Sequence, residues 1–497
     1  MSCNVVLVMF AQVLRPLVVV SLSLAILGCG NSQSPAEVGT NVIPPLPLPD
    51  DLLETGLQGQ IPLADQLSGE SREGHRKGLR LVGENSIQQR GANFALAWVG
   101  DCAYVTTTSA AQVTGISSDP SGLPVRQPLN GMAVIDASNP EAPELVSILQ
   151  SPAMLAPHES IQGNEARKII VATLVTGGVM DVYDASDCRL PILKASVTLP
   201  GYAGHALCIS DDGMTAYATS GKSGGVGDAV VDLSDLENPK ILHTFNPANH
   251  DCGVSDDGNR LFVAHRQEKQ GDPTGLVIFD VSDFQRRKQD PQMREVSSLL
   301  WTKMSEGEYE ASDGASHTTR MFRQGKRKYI YSSDEVVPFY ACPWAHGRII
   351  DITDELHPVK VSDITLEVQK SENCSLTQLD LVPYSTHYSG VDDPKNATTL
   401  FISSFGAGLR VWDIRDPTNP REIAYWHPKP IAATRLLAPG TQGITSNGLL
   451  WDSVPTYVRY RPELGHIWIA GNTAGFQILE FTQTARSTAP RPKRTSE

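Results

Sequence analysis

Residues 131–143 read GMAVIDASNPEAP, and versions of that string recur along the chain. They are GVMDVYDASDCRLP at 178–191, DAVVDLSDLENP at 228–239, GLVIFDVSDF at 275–284, GRIIDITDELHP at 347–358 and GLRVWDIRDPTNP at 408–420, with a degenerate GFQILEFT at 475–482. The acid closing each apolar run is Asp136, Asp184, Asp232, Asp280, Asp351, Asp413 and finally Glu480. The first four stand at equal intervals of 48 residues, and the later intervals of 71, 62 and 67 fit loop insertions. A fixed period of this size marks a chain built by repeating one supersecondary unit.

Each unit has one grammar. A glycine precedes a β-branched apolar run. Asp-x-Ser/Thr-Asp/Asn then ends it, because these short side chains bond nearby backbone groups and close a turn. A second apolar run follows (ELVSILQSP, KILHTFNPA, REIAYWHP), and upstream lies a hairpin whose turn is SDDG at 210–213 and again at 255–258. Four strands in about 48 residues make a propeller blade. The expected fold is therefore all-β: a seven-bladed β-propeller of four-stranded antiparallel blades over residues 82–482. Length alone, 497 residues, would have suggested two or three domains. A closed ring uses that length in one, and 41 Gly and 34 Pro supply its turns.

The ends read differently. Residues 16–27, PLVVVSLSLAIL, form an apolar run too short to span a bilayer comfortably, preceded by Arg15 and followed by Gly28-Cys29. This resembles a bacterial lipoprotein signal, which implies removal of residues 1–28 and lipidation of Cys29. Gly30 after it implies, by the same resemblance, an outer-membrane anchor facing the periplasm or the cell surface. Residues 29–81 are rich in Pro, Gly, Ser and charge without a sustained period and read as a flexible tether; residues 483–497 read as a disordered tail. The net charge of −14 argues against nucleic acid as a partner and leaves membrane contact to the lipid anchor. A monomer is expected. Six cysteines remain beyond residue 29 with no CxxC pair, so disulfides are expected in an exported chain, Cys342 with Cys374 among them.

The strings GMAVIDASNP, GLVIFDVSD and GLRVWDIRDPTNP resemble the LVIVD-repeat family of exported β-propellers, over about 400 residues. That resemblance implies a fold and a surface location but little about activity. The chain is also distantly similar to the selenium-binding/methanethiol-oxidase propellers, which implies metal-dependent chemistry.

Five of the 12 histidines share one place in the repeat. His158, His205, His250 and His317 lie 12 residues before Ile170, Tyr217, Phe262 and Tyr329, and His387 lies 14 before Phe401. In the first unit Asn93 or a neighbour holds this place, and in the seventh Thr456 or Tyr457. The place is the start of the innermost strand, so five imidazoles are expected around the channel mouth. Imidazole is the commonest transition-metal ligand, and a histidine cluster suits Fe, Cu or Zn. Glu159 and Asp251 follow ring histidines; strand alternation would turn them away from the ion, as outer partners of the ligands. His265 and Asp334 end second strands and are expected to line the pocket, where Glu335 is a candidate general base. Two functions fit: a metal-dependent oxidoreductase or hydrolase acting on a small substrate, or a non-catalytic surface propeller that binds a protein or glycan and whose histidines are structural.

Overall fold

A computed structural model describes residues 51–68, 73–91, 93–107, 129–175, 178–199, 204–220, 228–245, 249–266, 272–301, 315–335, 342–377, 384–429, 457–472, 474–482 and 485. Residues 1–50, with Cys29 and the expected signal, lie outside them, as does the tail beyond 485. No described helix is long and apolar enough to cross a membrane.

Seven antiparallel sheets follow one another in chain order. Blade I comprises Asn93–Val99, Cys102–Thr107, Met132–Asp136 and Glu144–Leu149. Blade II comprises Ile161–Asn164, Ile169–Thr173, Val179–Asp184 and Ile192–Thr198, and blade III Ala206–Ile209, Thr215–Thr219, Asp228–Asp232 and Lys240–Phe245. Blade IV is Asn249–Val254, Arg260–His265, Thr274–Asp280 and Arg294–Trp301; blade V is Ala315–Gln324, Arg327–Glu335, Gly347–Asp351 and Val359–Ile364. Blade VI is Ser389–Val391, Thr399–Ser403, Leu409–Asp413 and Arg421–His427. Blade VII takes Arg459–Arg461, His466–Gly471 and Gly475–Phe481 from the C-terminal end, and its outermost strand, Leu79–Asn85, from the other end of the chain. From blade I to blade VII, the first strand of each blade packs on the first strand of the next, so these strands line the axis. The core lies between blades. Leu207, Ala216, Ala218 and Val231 of blade III, for example, pack on Ile169, Val171 and Val182 of blade II.

The repeated sequence produces a repeated local structure. The register aspartate accepts a backbone N–H two residues on in six blades: Ser138 to Asp136 at 2.8 Å, Ser186 to Asp184 and Ser234 to Asp232 at 2.9 Å, Ser282 to Asp280 at 3.0 Å, Thr353 to Asp351 at 2.8 Å and Arg415 to Asp413 at 3.0 Å. The glycine at the start of the apolar run answers to a close approach: a Cβ on Gly275, the second residue of its strand at φ +155°, would stand 2.3 Å from the Leu299 carbonyl oxygen of the fourth strand.

The segment read from sequence as a tether supplies structure up to its end. His75–Lys77 adds a fifth strand to blade VI, pairing with residues 425–427, and Leu79–Asn85 closes blade VII. Glu54 pairs with the buried Arg410 of blade VI at 2.8 Å, and Glu422 holds the same guanidinium at 3.3 Å. These short polar pieces lack a period because each is one strand laid on a sheet made elsewhere, where neighbours rather than a pattern of its own hold it.

The six cysteines form Cys102–Cys188, Cys208–Cys252 and the expected Cys342–Cys374. The first joins blades I and II, and the second joins the innermost strands of blades III and IV. Two outcomes follow from this architecture. Deleting residues up to Asn85 strips blade VII of its outer strand and leaves an unpaired edge; the truncated chain is expected to self-associate in light scattering and to unfold at lower temperature. Replacing Cys208 and Cys252 together by serine, which opens a span of 44 residues, is expected to cost about 2–4 kcal/mol in urea unfolding. An unchanged midpoint would contradict it.

Candidate metal centre

The backbone fixes each histidine before its side chain is considered. His205 and His387 stand just ahead of the first strands of blades III and VI, and each backbone N–H is held by a second-strand carbonyl, Thr219 at 2.8 Å and Ser403 at 2.9 Å. His250 and His317 lie within first strands, where the pairing slips between Asn249 and Cys252 and between Ser316 and Thr318. Such bulges re-aim a side chain. His158 has φ +56° and sits in a turn closed by Ser160 N–H to Pro157 O at 2.9 Å. Hydroxyls of neighbouring blades then grip the histidine backbones. Thr106 donates to His158 O and Thr219 to His250 O, both at 2.6 Å, and Ser333 donates to His387 O at 2.7 Å. Blade-to-blade hydrogen bonds thus set where three of the five imidazoles start.

The five rings form an arc. Successive centroids are 5.5 Å apart from His158 to His205, 4.5 Å to His250, 3.9 Å to His317 and 4.4 Å to His387. Their Nε2 atoms converge on one carboxylate, Glu159. Oε1 lies 3.0 Å from His387, 3.6 Å from His158 and 3.7 Å from His317; Oε2 lies 3.4 Å from His205 and 3.6 Å from His250. The Nε2 atoms of His205 and His250 are 2.9 Å apart. Tyr388 donates to Glu159 Oε2 at 2.9 Å, and Tyr457, stacked on Tyr388 with centroids 4.0 Å apart, donates to the Glu159 carbonyl at 2.7 Å. Glu335 reaches the arc from the end of its strand, 3.5 Å from His317 and 3.8 Å from His387. Phe94 stacks on His158 at 4.0 Å. The two blades without a ring histidine therefore contribute an aromatic side chain, Phe94 and Tyr457.

Three sets of ligand atoms lie within 4.8 Å of one another: His158, Glu159 and His205; Glu159, His317 and His387; His250, His317 and Glu335. These buried groups could hold a metal ion. Two nitrogens bound to one ion at ~2.0–2.1 Å stand ~3 Å apart, the spacing found between His205 and His250. The electrostatics agree with ligand chemistry. Burial pushes the His158 imidazolium down to about 3 and holds His250 well below its ordinary range; His387 is lowered in the same way, helped by His317. Neutral imidazole is the form that binds metal. Burial opposes charge on Glu159, yet the surrounding histidines, His250 foremost, hold its pKa well below the usual carboxylate value. Burial also opposes charge on His317, but Glu335 and Glu159 outweigh it and raise its pKa.

The structure brings together all five ring histidines and Glu335. It corrects the reading of Glu159 as an outer partner. Alternation applies only inside a strand, and His158-Glu159 form the corner of a turn, with blade II starting at Ile161; the carboxylate therefore enters the centre. Asp251 does face away, towards Arg320 of blade V at 3.9 Å, and burial pushes its carboxyl up to about 6. Asp334 is absorbed in structure rather than in a pocket: it pairs with buried Arg348 at 2.7 Å and accepts from Trp301 Nε1 at 3.1 Å. His265 ends its strand opposite Asn249 and is not among the converging ligand atoms. Phe94, Tyr388 and the gripping hydroxyls went unnoticed in the sequence, although Thr or Ser near the end of the second strand (VTTT, YATS, YSSD) was a visible signal.

No family model matches the chain, and no curated protein matches it, so the LVIVD-repeat resemblance rests on the motifs alone. Similar solved structures include a protein from Lactobacillus plantarum (12% identity, TM-score 0.46, covering 66% of this chain and 82% of that one). Others are a periplasmic gluconolactonase from Pseudomonas aeruginosa (11%, TM-score 0.44, 66% and 83%) and a hypothetical selenium-binding protein from Sulfolobus tokodaii (13%, TM-score 0.43, 68% and 79%). At such identities these likenesses say nothing about what the present chain binds.

The depressed histidines make a prediction for metal-free protein. Unfolded histidines take up protons near pH ~6.5, whereas native His158, His250 and His387 resist them, so stability falls as pH drops below that value. His317, with its raised pKa, works in the opposite direction but is one against three. The urea midpoint of chelator-treated protein is expected to fall between about pH 7 and pH 5, and less steeply in a His158→Gln variant. A midpoint that does not move over this range would contradict the assignment.

Proposed function

We propose that this chain is an exported β-propeller lipoprotein whose channel-mouth histidines bind a transition metal ion, Fe, Cu or Zn, and that the ion serves an oxidoreductase or hydrolase reaction on a small substrate. One observation carries the reading: five imidazoles from five blades turn the same nitrogen onto one buried carboxylate. A purely structural histidine, repeated by duplication, would bond its own blade's backbone; here the Nε2 atoms face each other instead. Imidazole with carboxylate is a donor set for first-row transition metals. The ion would supply Lewis acidity or redox chemistry. The chain's own part is to keep the imidazoles neutral, exclude water from the inner side through Tyr388 and Phe94, and leave access where His205 is partly exposed, its side chain 21% accessible against 2% or less for His250, His317 and His387. Export is supported by the three disulfides, which persist in oxidising compartments. Lipidation at Cys29 and a monomeric state belong to the same proposal.

Elemental analysis of the soluble domain, purified without a tag, is expected to find stoichiometric transition metal. The double variant His205→Ala/His250→Ala is expected to lose most of it while keeping the far-ultraviolet spectrum of the parent. Chelation of the parent is expected to lower its unfolding temperature, because an ion bound only by the native state stabilises it. Metal-free parent protein that binds no added ion, with the double variant altered only in stability, would return the histidines to a structural role and favour a binding propeller.

A further inference from the structure

We infer that the site holds two metal ions bridged by Glu159, one enclosed and one open to the channel. The inference rests on the metal-binding reading above and extends it to the number of ions and the place of the exchangeable position.

The donor count points to two. Five imidazoles and the carboxylates of Glu159 and Glu335 face one small space. A single first-row ion takes about four to six ligands and so cannot engage all seven groups at once. The three sets of converging atoms also share members: Glu159 belongs to two of them and so does His317. Glu159 presents a different oxygen to each side. Oε1 is nearest His387, with His158 and His317 behind it, and Oε2 is nearest His205, with His250 behind it. A carboxylate with each oxygen in its own ring of imidazoles is placed to bridge, and paired ions in such centres sit ~3.5–4 Å apart.

The two halves differ in exposure. On the Oε1 side His317 and His387, with Glu335 beside them, have side chains 1%, 0% and 6% accessible, and His158 joins them at 11%. An ion held there by these groups and Glu159 is saturated and enclosed. The other half has His205 and His250 with Glu159 Oε2, their Nε2 atoms 2.9 Å apart, and His205 is the most exposed imidazole of the arc at 21%. Three protein ligands leave that ion an exchangeable position on the channel side. The ligand class it would take is a small oxygen- or nitrogen-donor anion or the polarisable oxygen of a substrate. Tyr388, donating to Glu159 Oε2 at 2.9 Å, holds the bridging carboxylate on the open side.

The test uses the whole soluble protein, stripped by chelation and titrated with Co(II) alone, with bound metal counted by mass spectrometry and followed by its visible absorption. Two equivalents are expected for the parent. His205→Ala is expected to retain one equivalent and to lose the spectral change that azide causes in the parent. Glu159→Gln is expected to bind no more than one, and Tyr388→Phe still two. Saturation of the parent at one equivalent overturns the two-ion centre while leaving a metal site. Failure to bind any Co(II), Zn(II) or Cu(II) overturns both. Should His205→Ala fail to fold, His250→Gln serves the same purpose, and retention of two equivalents together with the azide response in it overturns the assignment of the open side.

Discussion

Everything in this molecule depends on the ladder between Leu79–Asn85 and Gly475–Phe481. A row of twisted sheets leaves two unpaired faces and edges, and only closure buries both. Here the two ends of the chain meet in one sheet, so the ring closes through backbone hydrogen bonds rather than through side-chain contact alone. Closure gives the axis a fixed radius. With that radius set, the first strands of all blades come near enough for short side chains on opposite blades to interact.

The histidine arc is a consequence of that radius and of small irregularities. A regular strand would aim a side chain on every second residue at the axis and would not gather five imidazoles on one carboxylate. Two bulges, at His250 and His317, and a turn at His158 with positive φ, redirect the rings. Threonine and serine hydroxyls from adjacent blades then fix the backbone carbonyls of His158, His250 and His387. Repetition supplies one ring histidine in each of five units, and local departures from the repeat make the copies converge. The disulfide between Cys208 and Cys252 lies on the two strands whose histidines approach each other at 2.9 Å, so covalent bracing and ligand placement coincide.

Much of this was legible in advance. The equal spacing from Asp136 to Asp280 announced the blade, because the Asx turn that the aspartate makes is a local property of four or five residues. The histidine register was legible for the same reason: it is a count along the chain. Glu159 was misjudged because strand alternation was applied across a turn. His75–Lys77 and the first residues of Leu79–Asn85, up to 81, read as tether because a strand laid on another unit's sheet carries no period of its own. Asp334 was assigned to the pocket by its place at a strand end; its partner Arg348 lies one strand away and is visible only once the sheet is paired.

By itself, the sequence determined the repeat, the number of blades, the all-β class and the five histidines as a set, since each follows from turn chemistry and spacing within one unit. Only the tertiary structure decided that Glu159 is the centre of the set, that Tyr388 and Phe94 complete it, and that residues 75–81 belong to the ring. These depend on distances between blades far apart in sequence, which are fixed by closure and packing and are written in no single unit.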